Sequence, residues 1–306
     1  MEIHLRTNPN ASVEVAFEKA FAAFAQVADQ LSADDLTGDV AQLNRGAGGH
    51  WITVDAETVQ ALLRARSLAA ETGGAYDPTV LPLQRIWGLK SAEPRSPNRA
   101  QLAYALSLVD WAKLAVDPTY ARARLLERGM EIELGDFRLG YAADRALDTL
   151  RRSEVNAACV QLERGATCYG GTSRAPWSLS FLDPDDSTVV LAELDLTSGG
   201  SWLLVPRVGL FADRSSSEPK LEGELHARFI DPRTGQPNDE LYSVITAAHN
   251  AALAAGYAEA LLAMGEGAQM FVAGRRRLEA MLVSNLNQPW ISDGFPARGR
   301  EERFDQ

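Results

Sequence analysis

The turn over Thr72–Thr79 constrains the fold of this 306-residue chain strongly, because it fixes where a helix ends. The pair Gly73-Gly74 lets the backbone take a positive φ, as the C-cap of a helix requires. Tyr76 and Asp77 follow, and Pro78 restricts φ for the next segment. The turn therefore presents an aromatic ring and a carboxylate beside a helix end. From these residues alone, a helix stop followed by a packed loop is the plainer interpretation, and a binding turn is the alternative.

Hydrophobic periodicity predicts an α+β fold with mixed, largely antiparallel sheets. Apolar residues at helical spacing predict helices over 12–31, 56–72, 102–108, 141–151 and 248–264. Alternation predicts strands over 130–134, 158–162, 177–182, 189–196, 202–205, 242–247 and 281–284. The core side of the helix over 248–264 is predicted to carry Leu253, Tyr257, Leu261 and Met264.

The net charge argues against a nucleic-acid partner, and the hydropathy argues against a membrane span. The formal net charge is −11, whereas binding to nucleic acid phosphates needs clustered Lys and Arg. The tight basic run Arg275–Arg277 is interpreted as a solvated turn, with an anion site as the alternative. No run approaches the roughly 18 apolar residues of a membrane span. We therefore expect neither a nucleic-acid partner nor a membrane span.

The cysteines and the first residues bear on the compartment. Cys159 and Cys168 fit no zinc or redox spacing, so we expect free thiols, at least one of them buried in a strand. The start at 1–6 shows neither a basic region nor an apolar region of a signal peptide. The sequence thus predicts a cytoplasmic protein, with an exported mature form as the alternative.

Five motifs along the chain together resemble those of the ApbE-like FAD:protein FMN transferase family. They are a leucine-asparagine pair, the glycine-aromatic-aspartate turn at 72–79, a glycine-tyrosine-alanine-x-aspartate segment, an isoleucine-aspartate-proline-arginine-threonine-glycine run and a closing glycine-phenylalanine. Apart from the turn, they stand at Leu43-Asn44, Gly140–Asp144, Ile230–Gly235 and Gly294-Phe295. The resemblance covers residues 13–296, and it is specific because the motifs occur together and in order.

The resemblance implies a single domain over residues 1–306 with the family fold, in which two intertwined lobes hold FAD in the cleft between them. It implies Mg²⁺-dependent transfer of FMN from FAD to a threonine hydroxyl of a protein acceptor. Such phosphoryl transfer depends on positioning, on neutralising charge near the pyrophosphate, and on a group that accepts the hydroxyl proton.

Family positions that support the ligand are present in this chain. The cofactor-binding candidates are Asn44, Gly74, Tyr76, Asp77, Gly140, Tyr141 and Asp144. Gly140 precedes a helix predicted to begin at Tyr141, so its backbone can approach an anion at the helix N-terminus. Asp144 matches the family's aspartate, which is expected at the adenosine end of FAD. The alternative is an exposed helix acid that pairs with Arg145 or Arg138.

Positions that should carry the chemistry are changed. Leu139 stands where the family has a lysine, and a leucine cannot neutralise a phosphate. Arg138 beside it is predicted to point the other way in an extended segment. Arg228 stands at the family's histidine and stays protonated, so it cannot act as a base. His226, on the same side of a strand, is the alternative, and Asp231 is a further catalytic candidate.

The helix that carries the metal ligands in the family has lost its aspartate and threonine. Aligned without a gap, these positions are Ala255 and Glu259; with one turn deleted, Glu259 replaces the aspartate and Ala263 the threonine. Glu259 is therefore the metal-ligand candidate, and the alternative is a solvated helix acid. A single carboxylate with phosphates binds Mg²⁺ weakly, because this ion keeps several waters.

Two turns that are small in the family carry bulky or charged residues. Gln161–Gly165 replaces a glycine-glycine-aspartate turn, and Phe211–Ser215 stands where a small serine/threonine-glycine turn is expected. These changes leave three hypotheses. The protein is a slow transferase that uses Glu259 or His226, a non-catalytic protein that binds flavin or another nucleotide, or a structural and partner-binding descendant. In the last case residues such as Arg164 fill the cleft.

Overall fold

A computed structural model describes residues 1–7, 11–89, 95–153, 155–182, 188, 190–204, 230–238, 240–286 and 288–297. The helices are α1 (Ala11–Gln30), α2 (Asp39–Arg45), α3 (Ala56–Glu71), α4 (Leu81–Trp87), α5 (Arg99–Ser107), α6 (Gly135–Arg152), α7 (Ala251–Met264) and α8 (Ala268–Ala273). The strands are β1 (Glu2–Leu5), β2 (Ile52–Thr53), β3 (Leu114–Asp117), β4 (Arg122–Leu125), β5 (Ala158–Leu162), β6 (Gly165–Tyr169), β7 (Trp177–Leu182), β8 (Val190–Leu196), β9 (Gly199–Leu204), β10 (Leu241–Ala248), β11 (Leu278–Ser284) and β12 (Pro289–Ile291). Short 3₁₀ turns occupy Trp111–Lys113 and Gly265–Gly267.

Most described strands form one sheet in the order β1-β5-β6-β9-β10-β11-β12, and every neighbouring pair in it is antiparallel. A smaller sheet has the order β2-β4-β3, and β7 pairs with β8 in a separate hairpin. Helices packed on antiparallel sheets confirm the α+β prediction.

The two faces of the large sheet are buried by different elements. Val244 and Leu282 lie in the main core with α6 and α7, whereas the next residues along β10 and β11, Ile245 and Met281, pack under the β7–β8 hairpin. This alternation follows from the two-residue period of a strand. The α6–α7 pair therefore lies against one face of the sheet.

The helix predicted to end before the two glycines does so. Asp55 caps α3 by accepting the N–H of Glu57, and Thr72 forms its C-cap. Gly73 and Gly74 follow with φ of 61° and 80°. The predicted core side of α7 is too narrow, because most of the helix is buried on all sides and only Leu253, Glu259 and Met264 are partly exposed.

Several sequence predictions are wrong in detail. The segment 130–134 is no strand and makes a single parallel bridge, between Glu131 and Val80. Helix α6 begins at Gly135, six residues before the predicted start at Tyr141. Strands β1–β4, β6 and β12 were not predicted. The fully buried sequence of β6 shows neither alternation nor a run of β-branched residues.

The expectation of free thiols is also wrong. Cys159 and Cys168 stand directly opposite each other on β5 and β6 and form a disulfide. Both are 1% exposed, as the prediction of a buried cysteine in a strand required. A spacing of nine residues brings two cysteines together when a tight hairpin joins their strands, and that hairpin was not recognised in the sequence.

Two further expectations concern the surface. Within the described ranges, no helix combines the length and apolar character needed to cross a bilayer. In the basic run, Arg276 and Arg277 are exposed as expected, whereas Arg275 pairs with Glu71 at 3.2 Å.

Candidate functional site

The segment 130–136, which leads into α6, is where separate sequence motifs meet. The Asn44 amide bonds Ile132 in both directions: Nδ2 donates to the carbonyl oxygen at 2.9 Å, and Oδ1 accepts the N–H at 2.6 Å. The N–H of Glu133 donates to the carbonyl oxygen of Pro78 at 2.8 Å. The leucine-asparagine pair and the turn at 72–79 are thus fastened to the same stretch of backbone.

Tyr76 and Asp77 bond to the protein itself. The buried Tyr76 hydroxyl donates to the carbonyl oxygen of Leu134 at 3.4 Å. Asp77 accepts the N–H and the hydroxyl of Thr79 at 2.8 and 2.6 Å, and the N–H of Trp111 at 3.1 Å. Burial raises the pKa of Asp77 above its usual value, although these bonds oppose the shift. Both side chains fix the shape of the turn from within.

Glu259 of α7 lies at the beginning of α6. Its Oε1 accepts the N–H of Asp136 at 2.6 Å. Gly135 precedes with φ of 57°, and a Cβ at that glycine would collide with the Glu259 carboxylate. Burial and then the neighbouring charge of Asp136 raise the pKa of Glu259 well above its usual value. The interpretation of Glu259 as a solvated helix acid is therefore wrong, because the carboxylate caps a facing helix.

Asp136 joins the start of α6 to the β5–β6 turn. Its Oδ1 accepts Nη2 of Arg164 at 2.8 Å, and its Oδ2 accepts Nε1 of Trp202 at 3.1 Å. The Arg164 carbonyl oxygen in turn accepts the N–H of Leu203 at 2.7 Å. Nη1 of Arg164 is buried and has no hydrogen-bond partner among the described residues. A cation, two carboxylates and an indole thus surround the start of α6.

The other end of the α6–α7 pair holds Asp144. Its two oxygens accept the N–H groups of Ala251 and Ala252, each at 3.0 Å, so the carboxylate caps α7. Burial raises the pKa of Asp144 to about 6, against the effect of these bonds. At 5% exposure it is no exposed helix acid, and the predicted pairing with Arg145 or Arg138 is wrong.

Gly140 lies inside α6 rather than before its N-terminus, which corrects the prediction that its backbone meets an anion there. A Cβ at this glycine would lie 2.5 Å from the carbonyl oxygen of Ala251. The glycine is therefore required by the close approach of α7.

Tyr141 and Arg138 of α6 each form a hydrogen bond to another helix. The fully buried Tyr141 donates its hydroxyl to Oε2 of Glu57 at 2.9 Å, and both burial and that carboxylate raise its pKa. Arg138 is helical, not extended as predicted, and its Nη1 donates to the carbonyl oxygen of Ala28 in α1 at 2.7 Å. It is directed away from the start of α6, so it does not replace the missing lysine.

The loop at 230–235 lies against the end of α7. Asp231 accepts the N–H, Nε and Nη2 of Arg233, each at 2.9 Å, and Arg233 also reaches the carbonyl oxygen of Ala263 at 3.1 Å. A Cβ at Gly74 would lie 3.8 Å from Arg233, which places this loop beside the turn at 72–79. His226, Arg228 and Phe211–Ser215 lie outside the described residues.

The donor groups at the start of α6 do not fit a resident Mg²⁺. In the ranges that the structure describes, no three His, Cys, Asp or Glu residues are arranged to hold a metal ion. Oε1 of Glu259 accepts a backbone N–H, and both oxygens of Asp136 are taken by Arg164 and Trp202. The proposed role of Glu259 as a metal ligand finds no support in this arrangement.

Comparison with known proteins identifies the architecture. A protein-family model described as the ApbE family matches residues 1–282. The chain belongs to the ApbE family. An FAD:protein FMN transferase of Klebsiella pneumoniae is 25% identical over 233 residues, which are 76% of this chain and 70% of that protein. Another, from Rhodobacter capsulatus, is 26% identical over 247 residues, which are 80% of this chain but 46% of that protein.

Solved ApbE structures share the fold at low sequence identity. The ApbE protein of Thermotoga maritima has a TM-score of 0.80 and 22% identity, over 95% of this chain and 93% of its own. The apo form of the flavinyl transferase ApbE of Pseudomonas stutzeri has a TM-score of 0.77 and 21% identity, over 95% of this chain and 90% of its own. The predicted family and fold class are thereby confirmed.

Sequence reasoning about this ApbE chain missed Asp136, which bonds both Arg164 and Trp202 and so joins three distant segments. It also missed an open cavity of about 560 Å³ beyond the N-terminus of α7, which His249, Arg277 and the turn at Thr197-Ser198 help to line. The sequence Thr-Ser-Gly-Gly at 197–200 was the available signal. It is a small serine/threonine-glycine turn of the kind that was expected at 211–215.

Proposed function

We propose that this ApbE chain binds FAD where its motifs meet and has at most a slow activity as an FAD:protein FMN transferase. In the reaction implied by the family, a protein threonine oxygen bonds to the FMN phosphorus. The pyrophosphate P–O bond breaks, AMP leaves and the hydroxyl proton passes to a base. The relatives above are named for this activity, and the site retains their scaffold while its reactive groups are engaged elsewhere.

The main observation behind the proposal is that side chains of the protein itself bond to one another and to the backbone at the start of α6. Glu259 accepts the backbone N–H of Asp136, and the Asp136 carboxylate is paired with Arg164, so these charged groups already have partners. An incoming pyrophosphate meets two carboxylates that repel it. Asp231 does not compensate as a base, because both its oxygens accept bonds from Arg233.

Asn44, Gly74, Tyr76 and Asp77 have a supporting role in this proposal. The bonds from Tyr76 to Leu134 and from Glu133 to Pro78 hold the turn at 72–79 against the segment 130–136, which Asn44 also binds. In the proposal this turn forms the wall along which a flavin would lie. Replacing Tyr76 by Ala should therefore abolish FAD binding, whereas replacing exposed Tyr104 by Ala should leave it unchanged. Calorimetric titration of FAD checks both variants.

A gain-of-function experiment tests the proposed loss of chemistry. Ala255→Asp with Glu259→Thr restores the aspartate–threonine pair of the family in the alignment without a gap, and Leu139→Lys restores its cation. We expect FMN transfer from FAD to a threonine-bearing acceptor protein to rise in the triple variant with Mg²⁺, measured by flavin fluorescence of the separated acceptor. Glu266→Thr, an exposed acid beyond α7, is the matched control.

Two outcomes would contradict the proposal. Wild-type transfer as fast as that of an intact relative would show that the observed groups suffice. Failure of wild type to bind FAD would favour the second candidate, a structural or partner-binding descendant. Arg164 supports that candidate, because its guanidinium occupies the space beside α6 that a bare glycine turn would leave open.

A further inference from the structure

We propose that the outer face of the small sheet β2-β4-β3 is a docking surface for an acidic, extended segment of a protein partner. This surface, the basic face, consists of Trp51, Tyr120, Arg122 and Arg124. The inference goes beyond FAD binding, because none of these residues belongs to the sequence motifs or to the contacts at the start of α6.

Strand register separates the two faces of this sheet. In β4, Ala123 is fully buried in the main core. Arg122 and Arg124 stand on either side of it in the strand and therefore point to the opposite, outer face. Trp51 directly precedes Ile52, which pairs with Ala123, so the tryptophan ring lies beside Arg124 on that outer face.

The two arginines of the basic face stack on aromatic rings. The guanidinium carbon of Arg122 lies 4.8 Å from the ring centroids of both Trp51 and Tyr120, and that of Arg124 lies 4.8 Å from Trp51. An arginine that stacks through its planar face keeps N–H donors at the edge of the plane. Tyr120 is 68% exposed, so a partner can reach this cluster. Trp, Tyr and Arg are also the residues that contribute most to binding at protein–protein interfaces.

The charge of the basic face is opposite to that of the whole chain. Asp117 accepts Nε and Nη2 of Arg122, each at 2.9 Å, whereas Arg124 forms no salt bridge with any described residue. One positive charge is therefore left without an acid, in a chain with a formal net charge of −11. A nucleic acid is charged along its whole length and is repelled by the rest of this chain. A protein partner can be acidic in one segment alone, so an acidic segment is the better complement.

The spacing of the arginines indicates the conformation of that segment. Residues two positions apart in a strand stand about 7 Å apart on one face, as Arg122 and Arg124 do. Acidic side chains at alternate positions of an extended segment have the same spacing. An arginine binds a carboxylate through two N–H donors when the carboxylate lies in its plane. The best-fitting segment therefore carries Glu or Asp at every second position.

Calorimetric titrations with two synthetic peptides of equal composition test the inference. One alternates Glu and Ser, and the other has its Glu residues in one block followed by its Ser residues. Wild type should bind the alternating peptide more tightly, and added salt should weaken this binding. Arg124→Gln should weaken it about tenfold to a hundredfold, the effect of a charge-assisted pair. Arg124→Lys should keep part of the affinity, and the exposed Arg174→Gln should change nothing.

Several results would overturn the inference. They are no binding of the alternating peptide, equal binding of the two peptides, and equal binding by wild type and a folded Arg124→Gln, whose stability denaturant titration checks. Tighter binding of oligothymidylate than of the alternating peptide would assign the face to nucleic acid instead. A dimer of wild type that Arg124→Gln dissociates would make the occupant a second copy of the chain. FAD titration of wild type and Arg124→Gln should give the same result, so the proposed function stands or fails separately.

Discussion

The two ends of the α6–α7 pair use the same device for different purposes. At one end Asp144 of α6 accepts the first N–H groups of α7, and at the other Glu259 of α7 accepts an N–H at the start of α6. The helices run antiparallel, so each supplies the cap of its partner. A carboxylate at a helix N-terminus is favourable at both ends because of the free N–H groups and the helix dipole.

The two capping carboxylates, Asp144 and Glu259, differ in the groups that surround them. The bonds of Asp144 go to backbone N–H groups and to the Thr167 side chain, and the positive charge of Arg145 lowers its pKa. Glu259 instead faces the carboxylates of Asp136 and Glu133, both of which raise its pKa. A structural cap needs one acid and its N–H partners. The end at Glu259 has further acids and an arginine that pairs with one of them.

The substitution with the largest expected effect disrupts the helix packing on which both caps depend. Gly140→Val places a branched side chain against the Ala251 backbone, where even a Cβ would lie at 2.5 Å. Because that neighbour is backbone, the two helices must separate, and we expect a loss of about 3–5 kcal/mol in the free energy of unfolding. Denaturant titration measures it. Gly267→Ala, where a Cβ meets nothing within 4 Å, is the control and should be nearly neutral.

Removal of the structural cap should have the next largest effect. Asp144→Ala leaves two buried N–H groups at the start of α7 without their acceptor. We expect a loss of about 3 kcal/mol in the free energy of unfolding at pH 5. A loss below about 1 kcal/mol would show that Asn250, which also caps α7, is sufficient alone.

The pH dependence of that loss sharpens the comparison. Burial raises the pKa of Asp144 from 3.8 to about 6 in the folded state. A raised pKa means that the contribution of the group is fully present below pH 3.8 and falls as the pH rises through 6. Wild type should therefore lose about 1–3 kcal/mol relative to Asp144→Ala between pH 4 and pH 7.5. Denaturant titrations of both proteins across this range test the sign, and a difference that grows with pH would contradict the assignment.

The sequence was sufficient for the fold where a local pattern determines structure. The cap at Asp55, the glycines after α3 and most strands of the large sheet were predicted from such patterns. The start of α6 was not. Glycine at 135 and the apolar alternation at 130–134 suggest a strand and a turn, whereas a carboxylate 124 positions later caps the helix there.

The candidate site shows the same limit. The motifs predicted which segments meet, but not that Glu259 caps α6 or that Arg164 pairs with Asp136. The disulfide was missed for a related reason, because its geometry depends on the register of β5 and β6. Pairings between distant side chains depend on helix packing and strand register, and a single sequence records neither directly.

The substitution with the smallest expected effect tests whether the two ends of the α6–α7 pair differ in role. Glu259→Ala is the counterpart of Asp144→Ala, and we expect it to change the free energy of unfolding by less than about 1 kcal/mol at pH 7.5. The variant frees the N–H of Asp136, but it also removes the repulsion of Asp136 and Glu133, which the raised pKa of Glu259 reflects. Denaturant titration of Glu259→Ala at pH 7.5 and of Asp144→Ala at pH 5 makes the comparison. A loss as large as that of Asp144→Ala at pH 5 would make Glu259 a second structural cap, because a carboxylate retained for a site should cost the fold little when it is removed.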